Sequence, residues 1–230
     1  MQLDEFNALK NFEKADPMTQ HKRSMRQILA RVPVMPVLTV NDVNHAVELA
    51  VALVRGGVFV FEVLLRTPQA LDAVKAMIDA APEADIGLGT LLTAEDVQAA
   101  VEAGVAFGVS PGLTPSLASA VRSAGLPFLP GTASASEVMF ARDQGFCELK
   151  FFPALGPAGI PWLRNMAPVF PDVLFCPTGG IQPEDIPEYL ALPNCCTVGG
   201  SWIASSALVK AQNWPEITKL ARHSTQMKNF

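Results

Sequence analysis

The chain has 230 residues, 50% of them hydrophobic and 17% charged, with a formal net charge of −5 at pH 7. That length holds either one large closed core or two smaller domains, and the acidic balance, with no Lys/Arg-rich block and no basic–aromatic interleaving, argues against a nucleic-acid binder. No apolar run is long enough to span a bilayer, and the N-terminal "MQLDEFNALKNFEKADP" lacks the apolar stretch of a signal peptide, so the expectation is a soluble cytoplasmic protein that does not bind membranes.

Two helical patches open the chain, the second being "MTQHKRSMRQILA", and residues 1–30 are expected to form a helical extension packed on a body spanning residues 31–230. From there short apolar runs alternate with helix-like segments. "VPVMPVL" from Val32 is followed by "NDVNHAVELAVALVRGG", where Asn41 or Asp42 supplies a cap and Gly56 the left-handed residue past the helix end. Then come "VFVFEVLL" with a helix after Thr67-Pro68, and "DIGLGTLL" with a helix opening at Thr93, where Glu95 and Asp96 sit in the first turn. The fourth unit is "VAFGVS" with a helix after "PGLTPS"; the fifth is "PFLPG" with "SASEVMFARDQG", whose Ser134 and Glu137 have capping-box spacing. The sixth begins at "FCELKFFPA", and the seventh is "DVLFCPTGG" with a helix after Pro183. The eighth is "CCTVGGSW", with one final helix from about Ser205 to Arg222.

Eight such units, with strands apolar on both faces and no composition break, predict a single-domain α/β fold, a closed parallel (β/α)8 TIM barrel with an N-terminal helical extension. An open doubly wound sheet has the same local signature and differs in closure.

In a barrel of this kind functional groups stand at the C-terminal ends of the strands. The sixth unit places Lys150 among Phe146, Leu149, Phe151 and Phe152, and it is the only lysine between Lys75 and Lys210. Desolvation disfavours its charged form, and an uncharged amine is a nucleophile. Glu62, Leu64 and Arg66 alternate at period two, which directs them to one face, and Lys150 and Phe152 share a face by the same rule. A structural Lys150–Glu62 ion pair is the plain alternative, but a dry ion pair is a doubtful stabiliser, whereas a catalytic site uses perturbed groups directly. Arg66 offers a planar fork for a carboxylate, with a structural pair to Glu62 as its alternative; Thr90 offers a hydroxyl.

Two Gly-Gly pairs, Gly179-Gly180 after Thr178 and Gly199-Gly200 before Ser201, close the last two strands, the usual place of a phosphate site in barrels. Taken singly they would pass as tight turns. The four cysteines, Cys147, Cys176, Cys195 and Cys196, lack metal-ligand spacing and read as reduced core residues, with Cys195 and Cys196 on opposite faces of a strand. The three histidines, His21, His45 and His223, lack that spacing too and are expected at the surface.

In this order the motifs "FEVLLRT", "GLGTLL", "VSPGLT", "LPGTAS", "ELKFFPA", "CPTGGI" and "VGGSW" resemble the 2-dehydro-3-deoxy-phosphogluconate aldolase family, which includes enzymes acting on 4-hydroxy-2-oxoglutarate; the similarity runs from about Arg31 to Arg222. The resemblance implies a class I aldolase, a homotrimer with no metal or other cofactor, whose partners are a small 2-oxo acid and a phosphorylated aldehyde. Lys150 then matches the Schiff-base lysine and Glu62 the acid/base. Arg66 and Thr90 match the residues holding the pyruvate carboxylate, and Pro111 and Phe152 line the pocket. Thr178, Gly179, Gly180, Gly199, Gly200 and Ser201 match the end that receives the phosphate. The family often has threonine where this chain has Leu64, which makes that wall more apolar and bears on the choice of acceptor aldehyde. Other readings of the residues alone remain: a phosphate-binding isomerase or epimerase, which needs no imine-forming amine, and a non-catalytic sugar-phosphate-binding protein.

Overall fold

The protein, seen here as a computed structural model, is described for residues 23–227, so His21 and most of the expected N-terminal extension lie outside the described residues. Nine strands alternate with helices: β1 (Val34–Leu38), α2 (Ala46–Arg55), β2 (Val60–Leu64), α3 (Ala70–Ala80), β3 (Asp85–Gly89), α4 (Ala94–Glu102), β4 (Phe107–Val109), α5 (Pro115–Ala124), β5 (Phe128–Leu129), β6 (Gly131–Thr132), α6 (Ala135–Asp143), β7 (Glu148–Phe151), α7 (Gly159–Met166), β8 (Leu174–Pro177), α8 (Ile186–Leu190) and β9 (Val198–Gly200), with α1 (Met25–Leu29) before them and α9 (Ser206–Lys210) and α10 (Trp214–Thr225) after.

All pairings are parallel. One sheet has the order β5-β4-β3-β2-β1-β9, the other β6-β7-β8. Pro130, which has no N–H to donate, separates β5 from β6. Its carbonyl accepts from the Lys150 amide at 2.9 Å, and the bridges Phe175↔Cys195 and Thr178↔Gly199 tie β8 to the β9 segment. The two sheets thus follow one another as a curled parallel wall with the helices outside it. The alternation of side chains in β7 shows how the wall is held: Leu149 is fully buried and Phe151 stacks on Trp162 of α7 at 4.4 Å, while Trp162 meets Phe175 of β8 edge-on at 5.6 Å. Lys150, between them, is left to the concave side.

Local signals placed most helix starts. Thr93 and Ser134 form the capping boxes their spacing predicts, Thr114 caps α5 with Pro115 in its first turn, and Asp42 accepts the Asn44 amide at the turn leading into α2. The structure corrects three expectations. The left-handed residue after α2 is Gly57, with φ 89°; Gly56 is in the right-handed helical region, and a side chain there would collide with Ala221 of α10. The final helix is two helices, because Gln212 takes a left-handed turn (φ 51°) and Pro215, which cannot continue a helix, begins α10 under an Asn213 cap. The strand in "CCTVGGSW" covers only Val198–Gly200, so Cys196 lies outside it and Cys195 contributes a single bridge. All four cysteines are free; Cys176 and Cys195 are buried, Cys147 and Cys196 half-buried. His223 is exposed, but His45 is half-buried against Trp214, at 5.9 Å between rings.

Among the described residues no helix is long and apolar enough to cross a membrane. The N-terminal edge of the wall carries its ion pairs. Asp85, the first residue of β3 and 7% exposed, accepts from Arg23 at 3.0 Å and from Arg31, and Arg26 of α1 donates to Glu148, the first residue of β7, at 2.6 Å. Arginines flanking and within α1 therefore clamp strands of both sheets. Asp85→Asn is expected to lower the unfolding free energy by about 1.5–3 kcal/mol, the range for a hydrogen bond to a charged group. Urea unfolding would measure this, with turnover staying near the parent value; an unchanged midpoint would deny the clamp a role in stability.

Candidate active site

Glu62 lies in the middle of β2 and is fully buried; Lys150 in β7 is 6% exposed. They belong to different sheets, yet the Lys150 Nζ is 3.3 Å from Oε1 and 3.4 Å from Oε2 of Glu62. The amine and the carboxylate therefore meet across the concave side, where the surrounding dielectric is low and each group is the other's partner.

Gly89 gives the carboxylate its room. A β-carbon at that position would lie 1.9 Å from the Glu62 Oε1 and 2.6 Å from its carboxyl carbon, so only glycine admits the observed rotamer. The next residue, Thr90, has φ 68°, a backbone conformation that a β-branched residue rarely adopts and that marks a locally strained position. Its Oγ1 accepts from the Arg66 Nε at 3.1 Å. Arg66 reaches it by a route other than strand alternation. β2 ends at Leu64, and the Arg66 amide turns back to the Leu64 carbonyl at 2.8 Å, which leaves Arg66 exposed at the rim and Leu64 buried in the wall. Glu62 pairs with Lys150, so the alternative Arg66–Glu62 pair is not what the side chains form.

Around the amine the walls are apolar or neutral. The ring centroid of Phe152 is 5.4 Å from the Lys150 Nζ, and Pro111 abuts Gly131, the register partner of Lys150. Cys176 is the register partner on the other side. Burial pushes its thiol up to about 12, against the opposing pull of Lys150, so it faces the lysine as a neutral group and offers no competing thiolate.

The glycine pairs lie at the ends of β8 and β9. Thr178 is buried, donates its amide to the Phe151 carbonyl at 2.9 Å, and fills the space over Gly199, where a β-carbon would fall 2.3 Å from its Oγ1. Gly179 and Gly180 have φ of 108° and 73°, which glycine accepts without strain. Gly179 passes under the Phe152 ring, which links this end of the site to the lysine; Gly200 lies beside Trp202, and Ser201 is exposed. The structure thus joins Lys150 to Glu62 within their strands, and joins Arg66 to Thr90 and Thr178 to Gly199 at or near the C-terminal ends. Gly89 and Cys176 were not singled out from sequence as site residues. For Gly89 the signal was a glycine inside a strand; for Cys176 the register that sets it beside Lys150 is invisible without the fold. Among the described residues no cluster of His, Cys, Asp or Glu is arranged to hold a metal ion.

A family profile described as "Aldolase: KDPG and KHG aldolase" matches residues 25–220. The chain belongs to this family. It is 44% identical over 203 residues to a 2-dehydro-3-deoxy-phosphogluconate aldolase of Pseudoalteromonas atlantica, covering 88% of this chain and 94% of that one. To the KHG/KDPG aldolase of Escherichia coli K12 it is 43% identical over 209 residues, covering 91% and 98%. The fold is similar to the KDPG aldolase of Legionella pneumophila solved with pyruvate captured at low pH as a covalent carbinolamine intermediate, with TM-score 0.86 and 42% identity over 89% of this chain and 99% of that one. It is also similar to the Zymomonas mobilis 2-keto-3-deoxy-6-phosphogluconate aldolase solved with 3-phosphoglycerate, with TM-score 0.85 and 43% identity over 90% and 98%. Membership makes this chain an aldolase, a carbon–carbon lyase.

Because Gly89 and the Glu62 carboxylate compete for one space, Gly89→Ala should displace the carboxylate while leaving the strand in place. Turnover is expected to fall by about 10²-fold, the scale of an ångström-sized misplacement of a reacting group. Steady-state kinetics beside an unchanged circular dichroism spectrum would show this, and parent-like turnover would mean the carboxylate has room to spare.

Proposed function

We propose that this protein is a class I aldolase that cleaves 2-dehydro-3-deoxy-6-phosphogluconate to pyruvate and glyceraldehyde 3-phosphate, with 4-hydroxy-2-oxoglutarate, cleaved to pyruvate and glyoxylate, as a further substrate. The observation that carries the reading is the buried amine of Lys150 within 3.3–3.4 Å of both oxygens of a buried glutamate. An isomerase would use the carboxylate but needs no imine-forming amine, and a sugar-phosphate carrier needs neither group.

Lys150 passes a proton to Glu62 and attacks the C2 ketone as the free amine to give a carbinolamine; that proton then goes to the carbinolamine hydroxyl, which leaves as water, and a protonated imine remains. Glu62, directly or through one water, takes the C4 hydroxyl proton as the C3–C4 bond breaks, and the bonding pair moves into C2–C3 while the imine nitrogen accepts the displaced electrons. Glyceraldehyde 3-phosphate leaves as the aldehyde. The enamine is then protonated at C3, and water hydrolyses the imine to pyruvate and the free amine.

In this reading Arg66 and Thr90 hold the substrate carboxylate, Pro111 and Phe152 line the pocket, and Thr178, Gly179, Gly180, Gly199, Gly200 and Ser201 receive the phosphate. The left-handed backbone at Gly179 and Gly180 favours that role, since successive N–H groups in such turns form concavities suited to anions. Leu64 makes the wall beside Glu62 apolar and tunes the choice of aldehyde. We read the fold as a complete (β/α)8 barrel beginning at residue 31, with β5 and β6 as one strand interrupted at Pro130 and the β8–β9 bridges as the closing seam. Its setting is taken as cytoplasmic and its assembly as a homotrimer, as the family resemblance implies. Light scattering of the purified chain should give the mass of three copies; a monomer would remove the trimer from the reading.

Borohydride reduction with pyruvate should leave a stable pyruvate-derived mass increase on Lys150, absent in Lys150→Ala. An unmodified lysine under turnover conditions overturns the imine mechanism. Glu62→Gln should still trap the adduct while cleaving about 10²–10⁴-fold more slowly, the range for a lost general base. Undiminished cleavage by that variant would take Glu62 out of the mechanism.

A further inference from the structure

Tyr189, the chain's single tyrosine, is fully buried in α8, and its hydroxyl donates to the carbonyl of Gly156, thirty-three residues earlier. Burial pushes the phenol up to about 12, so it is a committed donor at any working pH. Gly156 follows Leu155, which is 68% exposed and has φ 56°. A leucine in the left-handed region costs backbone energy and an exposed leucine regains nothing by burial, so this conformation persists only because its surroundings impose it.

Those surroundings are the Thr178–Gly180 turn. The Ala154 amide donates to the Thr178 carbonyl at 2.9 Å and the Gly156 amide donates to the Gly179 carbonyl at 3.2 Å. Gly180 lies so close that a β-carbon on it would come within 3.1 Å of the Gly156 nitrogen. Gly156 therefore spends both backbone groups on this layer, its N–H on Gly179 and its C=O on Tyr189. Gly159 completes the seat, because a β-carbon there would meet the tyrosine oxygen at 2.7 Å.

We propose that Tyr189 is a positioning residue for the anion end of the site: by fixing the Gly156 peptide it holds the Gly179–Gly180 turn in the shape that presents its N–H groups to a substrate phosphate. This rests on the reading of that turn as the phosphate site, and it assigns Tyr189 no contact with substrate. Tyr189→Phe keeps the ring and its volume and deletes only the hydroxyl. The KM for 2-dehydro-3-deoxy-6-phosphogluconate should rise about three- to tenfold, the size of one hydrogen bond. The kcat for that substrate and both constants for 4-hydroxy-2-oxoglutarate, which has no phosphate, should stay within about twofold, below the effect of one hydrogen bond.

A uniform loss with both substrates would show a general structural role and overturn the proposal, as would an unchanged KM for the phosphorylated substrate. Ser201→Ala, measured alongside, separates the two layers of inference. If it discriminates between the substrates and Tyr189→Phe does not, the tyrosine proposal fails and the phosphate site stands; if Ser201→Ala shows no preference either, the phosphate reading fails and takes the tyrosine with it. Independently of any variant's folding, inorganic phosphate should slow amide hydrogen exchange at Gly156 in the unaltered chain, and exchange indifferent to phosphate would count against the coupling.

Discussion

The contact between Lys150 and Glu62 constrains everything else about this molecule. Two groups of opposite charge, on strands of two different sheets, are placed within 3.3 Å of each other out of reach of solvent. Such a pair is a poor source of stability, since removing both groups from water costs about as much as their attraction returns. The fold has to supply the stability elsewhere. It does so on the outer faces of the same strands, where Leu149, Phe151 and Phe175 pack with Trp162, and at the opposite edge, where Asp85 and Glu148 anchor the arginines around α1.

That division has a geometric basis. In a parallel sheet every strand runs the same way, so all C-terminal ends gather on one edge and all N-terminal ends on the other. Partly exposed arginine–carboxylate pairs occupy the N-terminal edge, where water eases their desolvation. The C-terminal edge carries Thr90 and Leu155, two of the three non-glycine residues with positive φ among the described residues, the third being Gln212 between α9 and α10. Two of the three strained positions therefore lie beside the proposed chemistry and away from the clamp.

How much of this was legible before the fold was known depends on whether the cause is local. Lys150 was legible because a lone lysine in an apolar run is anomalous on its own terms. Glu62 facing the same side as Leu64 followed from strand periodicity. The capping boxes at Thr93 and Ser134 were legible because both partners lie within one turn. Arg66 was only half legible: its neighbourhood was right, but the strand stops two residues earlier and a turn, not alternation, brings it to Thr90. Gly56 misled because its requirement is contact with Ala221, far along the chain, while the conformational requirement fell on Gly57. Gly89 and Tyr189 were illegible for the same reason. Each answers to a group distant in the chain: the Glu62 carboxylate on the neighbouring strand in one case, the Gly156 carbonyl beneath α8 in the other.

The two ends of the proposed substrate are met by different physics. At the carboxylate end an exposed guanidinium supplies a full charge, and its fork fixes orientation. At the phosphate end, Thr178 to Gly180 and Gly199 to Ser201 contain no cationic side chain, and the chain as a whole carries net negative charge. A phosphate there depends on the direction of backbone N–H groups and the hydroxyls of Thr178 and Ser201, and their dipoles act only at contact range. Small rotations of a few peptide groups then matter more than the distant field of the protein. This is why the strained Leu155–Gly156 segment and the buried phenol behind it bear on specificity although neither belongs to the reacting centre, and why an acidic protein can accommodate a substrate with an anionic group at each end without a basic patch to attract it.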